Sequence, residues 1–282
     1  MKKITKILLI FLSLTLLFNC SDDNPETTSE NQTMRLDSIV STTNTVKFLF
    51  KYNNENVNIE NEIFITDEDG VSKVKVLLSY NSDNLINTEI YKEWDGTNNM
   101  KIKYTYNSNL DITSKISSNW DLNDWVIYSI EYYNYNSGVL TEITKEYNGI
   151  NNEKSNYIYE NEILKKIEYY DWDDNNNDWY NNPSRKYEYL FDTNSNLTSK
   201  TEYLYFNYNG SWELGDNRYE YEYDNTYVID YLILPVDIEI FNNVIFPISP
   251  NQMITKTKYF ENESDNWVSN QDFEFYYSNI NN

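Results

Sequence analysis

The 282-residue chain contains no histidine, no alanine, one cysteine, 6 glycines and 5 prolines. Without histidine there is no imidazole base, no histidine-containing triad and no histidine metal ligand. A lone cysteine excludes an internal disulfide and any zinc site built from several thiolates. Basic residues are scarce as well: 22 Lys and Arg stand against 45 Asp and Glu, a net charge of −23. That balance argues against binding nucleic acid through its phosphates, which needs basic patches. What is abundant is tyrosine, with 28 residues, and asparagine, with 45. Lack of alanine disfavours long helices, and Tyr, Thr and Asn favour strands joined by turns. Asn, Tyr, Ile and Lys also have AT-rich codons, so base composition accounts for part of the skew.

The amino end reads as a targeting segment. Lys2, Lys3 and Lys6 precede an apolar run from Ile7 to Phe18 that ends at Cys20. The run is short for a bilayer span and fits a signal peptide. Leu17-Phe18-Asn19-Cys20 resembles a bacterial lipobox, although Phe18 and Asn19 are not its usual small residues. The resemblance implies lipidation of Cys20 and removal of residues 1–19. The cluster Ser21, Asp22, Asp23 resembles the export signal that carries Bacteroidetes lipoproteins to the cell surface. Residues 20–34 are too polar to form a core and read as a disordered acidic tether. Asp37-Ser38-Ile39 resembles a short O-glycosylation motif of that phylum, a weak signal. Cleavage would leave a net charge of −26, so attachment to a membrane must come from acyl chains rather than from headgroup charge.

Residues 35–282 read as a single β-repeat domain. In Arg218-Tyr219-Glu220-Tyr221-Glu222-Tyr223 the tyrosines point one way and the charges the other. Lys186 to Phe191 and Thr201 to Phe206 repeat the pattern. Two turn markers alternate along the chain. One is an aromatic residue, a polar turn and an apolar residue, as in Tyr80-Asn81-Ser82…Leu85, Tyr106-Asn107…Ile112 and Phe191-Asp192…Leu197. The other carries tryptophan or its equivalent: Trp94, Trp120 with Trp125, Tyr147, Trp172 with Trp179, Trp212 and Trp267. Trp94 to Trp120 is 26 residues, the step to Tyr147 is 27 and the next, to Trp172, is 25. Each period therefore holds two strands and two turns, with the turn types on opposite ends. The expected fold is all-β: an antiparallel meander of about 12–16 strands built from repeated hairpins, in a curled or barrel-like sheet. The apolar insertion at 228–252, with Leu232-Ile233-Leu234-Pro235 and Val244-Ile245-Phe246-Pro247, breaks the repeat and is expected to cap the curl.

The pattern Lys/Arg-x-Glu-Tyr-x-Tyr, turn, Leu-Thr, aromatic pair, Trp…Trp, best seen from Arg185 to Trp212, resembles the tyrosine-rich repeats of secreted and lipid-anchored proteins of Flavobacteria. It is more distantly similar to YD repeats and to Bacteroidetes lipoproteins with a porin-like curled sheet. The resemblance spans roughly residues 73–278 and implies an all-β fold and a surface location, with no established activity. Relatives often continue into a type IX sorting domain; here the lipid anchor is expected to take that role.

Chemistry is thin. Asp171, Asp173 and Asn175 alternate as in a calcium loop, but the glycine of such a loop is replaced by Asn176; a solvated hairpin tip is the plainer reading. A glycosidase needs two carboxylates about 5 to 9.5 Å apart, and nothing marks one pair among so many. The better candidate is a ligand-binding rim of Trp94, Trp120, Trp172, Trp179, Trp212 and Trp267 for sugar rings or peptide. Its rival is that each tryptophan clamps its own hairpin by cross-strand packing. The expected function is a non-catalytic binding, adhesive or envelope-structural role for an outer-membrane lipoprotein displayed at the cell surface. Its expected partners are the membrane, through the anchor, and glycan or protein, with no cofactor and no nucleic acid. A periplasm-facing accessory lipoprotein of outer-membrane assembly or transport is the alternative, and a carboxylate-dependent glycan hydrolase the third.

Overall fold

The computed structural model describes residues 33–43, 45–67, 70–228, 232–233, 252–263 and 266–280. Cys20, Ser21, Asp22, Asp23 and the tether lie outside them, as does most of the 228–252 insertion. Among the described residues there is no helix. The strands are β1 (Thr33–Ser41), β2 (Val46–Tyr52), β3 (Asn58–Asp67), β4 (Gly70–Tyr80), β5 (Ile86–Glu93), β6 (Asn98–Tyr106), β7 (Ile112–Asp121), β8 (Asp124–Asn136) and β9 (Val139–Tyr147). They continue as β10 (Ile150–Glu160), β11 (Ile163–Asp173), β12 (Asp178–Trp179), β13 (Arg185–Phe191), β14 (Leu197–Phe206), β15 (Ser211–Val228), β16 (Leu232–Ile233), β17 (Gln252–Glu263) and β18 (Asn266–Ile280).

Sixteen of these close a barrel. Each pairs antiparallel with its neighbour in sequence, β11 passing over β12 to β13 and β15 over β16 to β17. β18 returns to β1, with Thr33 opposite Ile280 and Ser41 opposite Phe273. The two-residue β12 extends the end of β11, and β16 lies parallel to the start of β1. Closure leaves no unpaired edge, the commonest liability of a long meander.

The period-two alternation decides which side chains go inside. Phe48 and Phe50 of β2, Ile63 of β3, Val76 of β4, Ile102 and Tyr104 of β6, Phe273 and Phe275 of β18 are buried in one continuous core. Leu164, Ile167, Tyr189, Leu197, Tyr219 and Tyr221 form a second. The outer wall carries the alternate residues as ion pairs. Lys51 bonds Glu60 and Glu62 at 2.6 Å each, Lys186 bonds Glu188 at 2.6 Å, and Arg218 bonds Glu220 at 2.7 Å. Lys256 pairs with Asp272 at 2.6 Å, and Lys258 with Glu222. A membrane-spanning barrel instead presents an apolar outward band to lipid.

Asparagine does specific work at one end of the barrel. At Asn53, Asn81, Asn107 and Asp192 the side-chain oxygen accepts the N–H groups two and four residues on, at 2.8–3.1 Å. The residue three positions on is left-handed: Asn56, Asn84, Leu110 and Ser195, with φ of 60, 59, 70 and 63°. The side chain thus satisfies donors that the sharp turn takes from the ladder. From β7 to β11 the connections shrink to two residues: Leu122-Asn123, Ser137-Gly138, Asn148-Gly149 and Asn161-Glu162. All eight have positive φ, the signature of type I′ hairpins.

The tyrosines just before the five-residue loops close that same end. Tyr52 donates its hydroxyl to the Leu36 carbonyl, Tyr80 to Asn58 and Tyr106 to Ile86. Tyr223 reaches Leu197 and Tyr277 reaches Ile254 in the same manner. Each bond ties a strand to the paired strand before it.

The loop chemistry is testable by equilibrium urea unfolding. Asn81→Ala should cost about 1 kcal/mol by leaving two turn N–H groups without their acceptor. Asn81→Asp should be close to neutral, because Asp192 already fills that role in the β13–β14 loop. Equal losses in the two variants would show that the side-chain oxygen is not what holds the turn.

Candidate functional site

The barrel is filled unevenly. On the side of β1–β6, β17 and β18 the aliphatic and aromatic core packs the interior. On the side of β7–β14 a cavity of about 1290 Å³ remains. It reaches the loop end at Asn84, Leu110, Glu162 and Ser195. On this side the tyrosine bridges lapse. Among the described residues Tyr135 and Tyr159, which precede two-residue turns, donate to no neighbouring carbonyl, and Phe191 has no hydroxyl to give.

Below the rim lies an aliphatic layer that includes Leu140, Ile143, Ile163 and Leu197. Deeper, the wall is polar. Lys115, Glu131, Lys145 and Glu153 sit directly opposite one another on β7, β8, β9 and β10. Their charges alternate: Glu131 lies 3.9 Å from Lys115 and 3.1 Å from Lys145. Arg185 continues the belt, 3.1 Å from Glu153 and 3.9 Å from Glu202. Glu202 accepts from the Tyr187 hydroxyl at 3.0 Å, the Asp216 N–H at 3.2 Å and the Asn217 amide at 2.6 Å. The Asn217 carbonyl oxygen accepts from Tyr259 at 2.8 Å. On the packed side the fully buried Glu89 accepts from Tyr91 and Tyr104, both at 2.7 Å. Buried charge is tolerated here because every member has opposite charge or hydrogen bonds around it.

Between rim and belt, three tyrosines stand apart. Tyr157, Tyr189 and Tyr221 line the cavity, and among the described residues their hydroxyls have no hydrogen-bond partner in the protein. Tyr189 and Tyr221 are 4% and 7% exposed. Burial pushes all three phenols well above their usual range. Lys200 lies among them, its ammonium 4.3 Å from the Tyr187 ring centre and 5.4 Å from that of Tyr219. Burial draws its pKa down to about 8 against the pull of Glu202. Burial likewise raises Glu153, with Arg185 opposing the shift.

The candidate tryptophans lie at the other end, on the outer wall. Trp120 packs edge-on against Trp125 and Trp172 against Trp179, each with ring centres 5.0 Å apart across one hairpin. Trp212 packs on Tyr205 at 5.2 Å, Trp94 lies 6.3 Å from Phe64, and Trp267 sits opposite Asn262. Lysines cover the rings: Lys73 over Trp94, Lys101 over Trp125, Lys154 over Trp179 and Lys186 over Trp212, at 4.6–5.2 Å. Trp120, Trp172 and Trp212 thus pack across their own hairpins, while Trp94 is 49% exposed. Asp173 spends its oxygens on the Asn175 N–H at 2.9 Å and the Asn176 amide at 2.6 Å. Asp171 lies opposite Glu153 in register, while Asn175 belongs to the turn. Among the described residues no three acids converge to hold a metal ion.

Sequence reasoning missed the cavity residues. Lys115, Glu131, Lys145, Glu153 and Arg185 come from five strands and meet only through register. Their one signal was a charge on the tyrosine side of the alternation, as at Glu131 before Tyr133.

No family model matches the chain, and no curated protein matches its sequence. Solved structures show likeness at low identity. A porin-like protein from Bacteroides uniformis is 8% identical with a TM-score of 0.48, covering 86% of this chain and 96% of its own. A Bacteroides fragilis protein of unknown function is 17% identical with a TM-score of 0.21, over 62% and 92%. A DUF3836 family protein from Parabacteroides distasonis is 16% identical with a TM-score of 0.17, over 48% and 82%.

The buried groups predict an unusual stability profile. Between about pH 8 and 10.5 the unfolded chain holds a proton on Lys200 that the folded chain has lost, so stability should rise with pH in that window. The penalty, roughly 3 kcal/mol, is fully present below pH 8. Above pH 10 the tyrosines reverse the trend, since unfolded phenols ionise before folded ones. Chemical unfolding across pH 6–12 checks both limbs. Lys200→Met should be more stable than wild type at pH 7 and lack the rise, and a rise that survives in that variant would belong to another group.

Proposed function

We propose that the chain is an envelope lipoprotein, tethered through acyl groups on Cys20, whose barrel is a non-catalytic container for a small ligand. The observation that carries this reading is the cavity of about 1290 Å³ lined by Tyr157, Tyr189 and Tyr221, whose hydroxyls have no hydrogen-bond partner among the described residues. An occupant of the cavity would offer these hydroxyls an acceptor. The charged outer wall suits a barrel in water, with the membrane held at the distance of a polar tether. Catalysis fits poorly: Glu131 and Glu153, the carboxylates lining the deep cavity, are each held by a cation. The Flavobacterial tyrosine-rich repeats and the Ser21-Asp22-Asp23 cluster favour display at the cell surface, and a periplasm-facing position is the alternative.

Two measurements test the reading. Cys20→Ser should abolish incorporation of labelled palmitate and release the protein from the membrane fraction; continued labelling would overturn the anchor. Native mass spectrometry of protein extracted from its own membranes should show a small-molecule adduct that is lost on denaturation. An Ile143→Trp variant, which narrows the cavity, should fold and carry less of it. An adduct retained at full occupancy in that variant would remove the container role. Protease treatment of intact cells should digest the barrel if it is displayed outside.

A further inference from the structure

We propose that the cavity binds a single-chain amphiphile with an acidic head, its tail among the aliphatic residues of the rim and its head on the hydroxyls of Tyr157, Tyr189 and Tyr221. This inference rests on the container reading and names the ligand class.

The lining changes character with depth, as an amphiphile requires. Leu110, Leu140, Ile163 and Leu197 offer an aliphatic wall toward the loop end, with Glu162 as its one charge. A neutral alkyl chain placed there leaves water without stranding a polar group. A sugar in the same position would desolvate its hydroxyls against aliphatic carbon.

Below that wall nearly every group facing the cavity is a donor. Among the described residues the three phenols have no acceptor. Lys115, Lys145, Arg185 and Lys200 line the deep cavity against Glu131 and Glu153, with Glu202 beside Arg185, so cations outnumber carboxylates there by four to three. This local excess of positive charge sits inside a chain whose net charge is −23. Its low-dielectric surroundings strengthen the attraction for an anion, and hydrogen bonds to an ionised acceptor are the stronger kind. A cationic head would meet the wrong field, and an uncharged head would use only part of the donor set. Glu162, at the mouth, places negative charge where the tail rather than the head would rest. Carboxylate and phosphate heads both meet these requirements.

Isothermal titration of the delipidated barrel with monomeric dodecanoic acid, dodecyl phosphate and dodecyl maltoside distinguishes the cases. At least one acid should bind, at least tenfold more tightly than the maltoside, and the tighter acid identifies the head. The double variant Tyr189→Phe/Tyr221→Phe should weaken the acids about tenfold, the worth of a hydrogen bond to charge, and leave the maltoside unchanged. Its thermal unfolding and circular dichroism establish that the barrel persists, and Lys200→Gln, which leaves the phenols in place, should weaken the acids independently. Maltoside binding as tight as the acids would overturn the acidic head while leaving the container standing. Binding of none of the three would overturn both.

Discussion

The constraint on which the rest of this barrel depends is that tyrosine, used as a core residue, brings a hydroxyl that must be placed. A chain without alanine and with 28 tyrosines builds its interior from rings that are half apolar body and half polar tip. Leucine in the same positions would ask only for volume. Tyrosine asks in addition for an acceptor at a fixed distance from its own strand. The barrel supplies three kinds: backbone carbonyls of the preceding strand, buried carboxylates, and the open cavity. Tyr52, Tyr80, Tyr106, Tyr223 and Tyr277 use the first. Tyr91, Tyr104 and Tyr187 use the second. Tyr157, Tyr189 and Tyr221 face the third. The buried glutamates therefore belong to the same solution: Glu89 and Glu202 are the acceptors that let phenols be buried where no carbonyl is in reach.

The distribution of turns accounts for where the interior stays open. Five-residue loops headed by asparagine accompany the bridging tyrosines of β2, β4 and β6, and the hydroxyl bridges tie the strands of that sector together. Two-residue turns accompany Tyr135 and Tyr159, which make no bridge. At β13 the loop is of the long kind, but Phe191 stands where the bridging tyrosine would be. These three positions are consecutive on the loop end, on the side of the barrel where the cavity lies, and the cavity meets the rim at Asn84, Leu110, Glu162 and Ser195. A repeat that is regular in sequence thus produces an asymmetric vessel by losing one atom or one turn type at three successive copies.

How much of this was legible follows from range. The alternation in Arg218 to Tyr223 and the spaced turn markers are local, and they pointed to an antiparallel meander with tyrosine on one face. Closure was not local: it needs β18 to find β1, more than two hundred residues away, and the sequence reading left a curl and a barrel both open. The belt was hidden for a different reason. Lys115, Glu131, Lys145 and Glu153 lie 16, 14 and 8 residues apart, at intervals that bulges in β8 and β10 make irregular. An outward-pointing charge and an inward-pointing one look alike until those bulges are placed. Tryptophan drew attention because it is large and recurs with the repeat. In the fold its rings meet each other and neighbouring lysines on the outer wall, at the end away from the cavity.

The belt also bears on why a barrel of such repetitive strands has one register. Tyr-x-Tyr-x patterns can pair with one another in several offsets, and slippage by two residues would keep every tyrosine inside. Such a slip between β8 and β9 would take Glu131 away from Lys145, its nearest cation, and break the alternation of the belt. Removing one partner of a buried pair costs about 3–5 kcal/mol, even where the intact pair adds little stability of its own. The penalty falls on the wrong registers and spares the right one. The same holds between β13 and β14, where Glu202 needs Tyr187 and Arg185 on one side and Asn217 on the other. Gly215 leaves room for that carboxylate: a Cβ there would lie 2.6 Å from the Glu202 side chain. Tyrosine gives the interior its bulk, and a few interior charges choose among the alignments that bulk alone would permit.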